Sequence, residues 1–154
     1  MSQYVPLSEI VSKGFQIVYD YAYSHVSTYV ELMQIRSNCT PNSTICVGGK
    51  ETDSADLTLV SCGNCYAILN ETQMNAPRYE NGAYWYLTQY NSFGFSDIYE
   101  IDQNRCDYYD CALYCTNDAK LCWLINSIFG GWRLGTYHNL YNSTVYRKLI
   151  FLKK

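Results

Sequence analysis

Phe15-Gln16-Ile17-Val18-Tyr19-Asp20-Tyr21-Ala22-Tyr23-Ser24 alternates with a period of two. Phe15, Ile17, Tyr19, Tyr21 and Tyr23 share one face; Gln16, Val18, Asp20, Ala22 and Ser24 share the other. Successive side chains of a strand point to opposite faces, so this stretch predicts a half-buried β-strand. Shorter runs repeat the signal. In Ala83–Leu87, Tyr84 and Tyr86 fall on one face and Trp85 and Leu87 on the other. Thr44–Val47 predicts a short strand ended by Gly48-Gly49. Leu57–Val60 and Cys65–Leu69 predict strands flanking Gly63-Asn64. Phe93-Gly94-Phe95, Leu121–Ile125 and the glycine-framed segment Gly130–Gly135 continue the pattern, with Trp132 expected in the core where another backbone comes close. Val145–Leu152 closes the set, its hydrophobicity interrupted by Arg147 and Lys148. Tyr29–Ile35 is read as a strand, with a helix over Val26–Ile35 as the alternative because Glu31, Leu32, Met33 and Gln34 are helix formers.

Many short strands, frequent turn signals and no long helical period predict an all-β protein. The expected form is an antiparallel β-sandwich, jelly-roll or Ig-like, with disulfide-stapled loops. No internal repeat is evident. The 154 residues suit one domain at 15–154, preceded by an N-terminal extension or donor-strand arm at 1–14. Hydrophobic residues make up 48% of the chain, enough for a core. Charged residues make up 16%, well below the usual quarter, which leaves a weakly charged surface able to pack on a partner. The net charge of −3 excludes a strong nucleic-acid footprint. Arg147, Lys148, Lys153 and Lys154 are expected to form a solvated strand end. No apolar run reaches the length of a membrane span. Met1–Gly14 does not have the pattern of a signal peptide, because Glu9 and Lys13 stand where its apolar core would lie.

Eight cysteines and four Asn-x-Ser/Thr sites, at Asn38, Asn42, Asn70 and Asn142, speak to compartment. The even cysteine count predicts disulfides, and the sequons predict N-glycosylation. With 12 Asn and 23 Ser or Thr, chance supplies roughly two sequons, so four is a modest enrichment. Cys62-Gly63-Asn64-Cys65 has a zinc-ribbon or redox spacing, but no second C-x-x-C follows and no βαβ context surrounds it. No metal site is therefore assigned. Pairing by proximity joins Cys39 to Cys46, Cys62 to Cys65, Cys106 to Cys122 and Cys111 to Cys115. The cysteines fall outside the best strands, which suggests sulfurs that fix irregular loops and glycans that cover them.

A further set of motifs runs from Gly14-Phe15-Gln16-Ile17-Val18-Tyr19 through Ile45-Cys46-Val47-Gly48-Gly49-Lys50, Tyr84-Trp85-Tyr86, Phe93-Gly94-Phe95 and Leu121-Cys122-Trp123. It closes with Gly130-Gly131-Trp132-Arg133-Leu134-Gly135, Leu140, Asn142, Ser143 and Tyr146–Phe151. With these motifs the 14–152 region resembles a β-rich module of extracellular proteins of eukaryotic microbes and small invertebrates. The resemblance implies a secreted or surface-displayed module and carries over no activity and no functional residues.

No nucleophile elbow, zinc-protease motif or phosphate loop occurs, and His25 and His138 stand alone, so no enzyme is expected and no cofactor beyond covalent N-glycans. The acidic segment, with Asp97, Glu100, Asp102, Asp107, Asp110 and Asp118 around Arg105, lacks EF-hand spacing. It is read as a solvated loop, with Ca²⁺ binding as the alternative. Two binding functions are expected. In the first, the chain is an extracellular structural or adhesive glycoprotein, a filament or surface-coat subunit that self-associates by donating Tyr4, Val5, Leu7, Ile10 and Val11 to a neighbour's open sheet edge. In the alternative, Tyr84, Trp85, Tyr86 and Tyr90, with Tyr108 or Tyr109, form a lectin-like sugar-stacking surface.

Overall fold

Alternation builds two antiparallel sheets in the computed structural model, which describes residues 1–106, 111, 115–128 and 130–154. The first sheet contains β1 (Ser2–Pro6), β2 (Gln16–Ala22), β3 (Thr44–Glu51), β4 (Asp56–Asn64) and β10 (Tyr146–Lys153), in the order β1-β4-β3-β10-β2. The second is a meander of β5 (Arg78–Glu80), β6 (Ala83–Leu87), β7 (Ser92–Ser96), β8 (Lys120–Leu124) and β9 (Gly131–Leu134), in chain order. Neither sheet is closed. Three α-helices, α1 (Leu7–Ser12), α2 (Tyr29–Ser37) and α3 (Cys65–Ile68), lie among the described residues. None of them is long and apolar enough to cross a membrane.

The main core takes side chains from both sheets. Ile45, Val47, Leu59, Ile150 and Leu152 come from the first; Trp85, Leu87, Phe93, Phe95, Leu121 and Trp123 come from the second. The intervening residues Cys46, Val60, Leu149 and Phe151, joined by Leu57 of β4, form a separate outer cluster under Ile10, with Val5, Leu7 and Phe15 packed against it. Along β3 and β10, period-two alternation therefore feeds two apolar layers, one on each face of the sheet. On the second sheet, Tyr86, Cys106, Cys111, Cys115, Cys122 and Trp132 make a third cluster. Trp132 is thus buried, but in this outer cluster and not in the main core. The close approach belongs to its neighbour: a Cβ on Gly131 would stand 2.2 Å from the Tyr23 ring.

Several expectations are corrected. Tyr29–Ser37 is a helix, because Thr28 and Glu31 form a reciprocal capping box and Leu32 and Ile35, one turn apart, reach the core together. Cys65–Ile68 is a short helix capped by the Asn64 side chain, which accepts from Ala67 N. Gly48-Gly49 does not end β3. A Cβ at Gly48 would lie 2.6 Å from the Leu59 carbonyl oxygen, so close strand approach, not a turn, requires glycine there. The opening alternation also breaks once. Ile150 pairs with Tyr19 but Phe151 pairs with Ile17, so Val18 is an extra residue in β2. This bulge returns Phe15 to the outer cluster and sends Tyr19 and Tyr23 into the main core.

Residues 1–14 pack on the first sheet of their own chain. β1 pairs antiparallel with β4 of its own chain, Leu7 N donates to Ala55 O, and Ile10 is buried on the outer face of the sheet. Tyr4 and Val11 remain exposed. The local pairing of the first four cysteines is also corrected: the bonds are Cys39–Cys65 and Cys46–Cys62. The antiparallel register sets Cys46 directly across from Cys62, whereas extended β3 carries Cys46 away from Cys39. Cys106–Cys122 and Cys111–Cys115 are joined as the spacing suggested. Cys46, Cys62 and Cys122 lie on strands, so the sulfurs tie strands and helix ends together as well as loops.

Candidate functional site

A cleft of about 380 Å³ opens between the edge strand β2 and helix α2. Gln16, Val18, Tyr19 and Tyr21 line it from β2, Glu31, Gln34 and Ile35 from α2, and Asn38 from the helix C-cap. Leu152 and Lys154 close one end. Tyr21 is the main exposed ring, 43% accessible. Its plane stacks on the His25 imidazole with centroids 3.9 Å apart, and it packs edge-to-face with Tyr19, centroids 4.7 Å apart. The ring is thus braced by two neighbours and still exposes part of its surface at the cleft.

Beneath the cleft runs a directed hydrogen-bond chain. Lys148 Nζ donates to Ser27 Oγ at 2.6 Å and to the His25 carbonyl at 2.5 Å. Tyr19 OH donates to Glu31 Oε2 at 2.9 Å, so across the 2.8 Å Tyr19–Ser27 contact the serine hydroxyl is the donor. The second Glu31 oxygen bonds His25 Nε2 at 3.0 Å, and Thr28 N reaches Oε2 at 3.3 Å. One carboxylate therefore caps α2, orients His25 and fixes Tyr19. Burial pulls the Lys148 ammonium down to about 7, against the opposing pull of the Glu31 charge. Burial likewise pushes the Tyr19 phenol far above its ordinary value; the Ser27 hydrogen bond works the other way, and the Glu31 charge adds to the rise. Ser27 and Lys148 are both fully covered, so the pair supports the cleft floor and does not face a ligand.

Lys148 was expected in a solvated strand end. It is instead 0% exposed, because its β10 position pairs with Tyr21 and its amine lies 5.6 Å from the Trp123 ring. Arg147, on the opposite face, does remain at the surface, paired to Asp20.

The expected aromatic surface is dispersed. Trp85 is buried in the main core, and Tyr86 is covered by the third cluster. Gly94 makes room for it, since a Cβ there would stand 2.8 Å from the Tyr86 hydroxyl. Tyr90 is 74% exposed and Tyr84 lies apart from it, its ring meeting Tyr79 at 5.3 Å and Tyr99 at 5.8 Å. Tyr108, Tyr109, Asp107 and Asp110 lie outside the described residues. Asn38, Asn42, Asn70 and Asn142 are all exposed. Among the described residues, the His/Cys/Asp/Glu group with metal-binding spacing is Cys111, Cys115 and His138, and its two sulfurs are bonded to each other. Of the acidic segment, Asp97 accepts a hydrogen bond from Asn117 at 2.8 Å.

No protein-family model, curated protein or solved structure matches the chain.

Proposed function

We propose that the chain is a secreted or surface-displayed glycoprotein module, its two sheets stacked as a sandwich, that binds carbohydrate in the β2–α2 cleft. The observation that carries this reading is that Tyr21, stacked on His25, lines the same cleft as the amide residues Gln16, Gln34 and Asn38. Sugars present an apolar face and a rim of hydroxyls. A braced tyrosine matches the face, and amides, which both donate and accept, match the rim. The hydrogen-bonded floor from Lys148 to Glu31 supplies the rigidity such a site needs. Four disulfides and four exposed sequon asparagines support the secreted setting.

The expectation of assembly by strand exchange draws less support. β1 already pairs within its own chain, and both edges of the first sheet are irregular. β1 carries Pro6 and a left-handed Tyr4, with φ of 52°; β2 carries the Val18 bulge. These features blunt an edge against pairing with another copy. One observation keeps a structural or adhesive role as the second reading: Tyr79, 63% exposed, clusters with Tyr84 and Tyr99 outside the second sheet. A glycan array probed with chain made without N-glycans tests the first reading. Binding that Tyr21→Ala removes supports it. Sedimentation showing oligomers that Tyr79→Ala disperses, with a blank array, favours the second.

A further inference from the structure

We propose that the N-glycan carried by Asn38 folds back into the β2–α2 cleft, making the protein's own carbohydrate the resident ligand of that site. The inference rests on the cleft being a sugar site and the chain being glycosylated. Asn38 is the C-cap of α2 and lines the cleft; Asn42, Asn70 and Asn142 are exposed elsewhere. Its Nδ2 donates to the Gln34 carbonyl at 3.2 Å. Glycan transfer forms a bond from Nδ2 to C1 of the first sugar, breaks the bond from C1 to the diphosphate of the lipid-linked donor, and releases one of the two amide protons. One N–H remains, and it can keep the bond to Gln34.

That bond holds the amide against the last turn of the helix, so the first sugar starts at the rim of the cleft with its direction restricted. The following residues are also fixed: Cys39 is bonded to Cys65, and its carbonyl accepts from Tyr66 OH at 2.7 Å. The core sugars of such a glycan are N-acetylhexosamines. Their ring faces suit Tyr21, and their acetamido groups suit the amides of Gln16 and Gln34. The tether raises the local sugar concentration, so even weak contacts would keep the cleft filled.

The test is a time course of endoglycosidase digestion of the native full chain, made in a glycosylating eukaryotic host and read site by site by peptide mass spectrometry. The Asn38 glycan should be released about tenfold or more slowly than those at Asn70 and Asn142. Tyr21→Ala, and independently Gln34→Ala at an exposed helix position, should abolish the difference. Equal release rates, protection that persists in both variants, or an unoccupied Asn38 would overturn the proposal. A Thr40→Val chain loses the sequon but keeps the Asn38 side chain, and it can be titrated with chitobiose. Binding there, together with equal release rates, removes the resident glycan but leaves the cleft a sugar site. No binding together with equal rates removes both.

Discussion

Lys148 makes the stability of this protein rise with pH, the same direction as for a salt-bridged carboxylate but in an alkaline window. Its amine is buried against Trp123 with two hydrogen-bond partners and falls from an ordinary 10.5 to about 7 in the fold. Below pH 7 the folded and unfolded chains both hold the proton, and the folded chain carries the whole cost of a buried charge. Between 7 and 10.5 the unfolded chain holds a proton that the folded chain lacks, so stability rises with pH. At about 1.4 kcal/mol per pH unit, the gain between pH 7 and 9.5 is about 3 kcal/mol. The window stops at 9.5 because the raised phenols of Tyr19 and Tyr23 act with the opposite sign above pH 10, where the unfolded chain ionises first. Lys148→Met keeps the apolar stem and removes the amine. It leaves the His25 carbonyl short of a donor, which costs about 1–3 kcal/mol at high pH. Guanidinium unfolding of both chains, followed by Trp fluorescence from pH 7 to 9.5, should show native stability rising by about 3 kcal/mol while the variant stays nearly flat. Parallel curves would refute the reasoning, because they would mean that the buried amine keeps its proton at little cost.

Other positions give independent tests. Non-reducing peptide mapping should link Cys39 to Cys65 and Cys46 to Cys62; peptides joining Cys39 to Cys46 would overturn the strand register. Replacing Cys46 and Cys62 together by Ala should lower unfolding stability by about 3 kcal/mol, the chain-entropy value for a loop of that size, measured in denaturant. Gly94→Ala should cost about 3 kcal/mol or more, since its Cβ would stand 2.0 Å from the Leu121 carbonyl oxygen. Gly82→Ala meets nothing within 4 Å and should cost only about 1 kcal/mol for its positive φ. Thr28→Ala should lose about 1 kcal/mol through the α2 cap, read from the same unfolding curves.

The strands were legible where alternation met a simple two-sided environment. Ala83–Leu87 shows this best: Trp85 and Leu87 enter the main core, and Tyr84 and Tyr86 face away. Alternation failed at Val18, since a bulge adds a residue without leaving a mark in composition. Helix α2 carries a start signal in the sequence but no helical period. Thr28-x-x-Glu31 is a capping box, but only Leu32 and Ile35 are buried, too few to set a helical period. The cysteine pairing needed the β3–β4 register, which sequence proximity does not contain.

The cleft was not legible at all. Its walls come from residues 16–21, 31–38 and 152–154, brought together only when β10 pairs with β2. Lys148 illustrates the limit well. A lysine in an apolar run suggests an exposed position, and only the fold supplies the His25 carbonyl and Ser27 hydroxyl that let it be buried.

The most direct measurement of the central claim is two-dimensional NMR of the Thr40→Val chain titrated with chitobiose and with the best array ligand. A sugar-binding cleft predicts saturable shifts grouped at Gln16, Tyr21, Gln34 and Asn38, abolished by Tyr21→Ala. No shifts, or shifts grouped at Tyr79, Tyr84 and Tyr99, would contradict it.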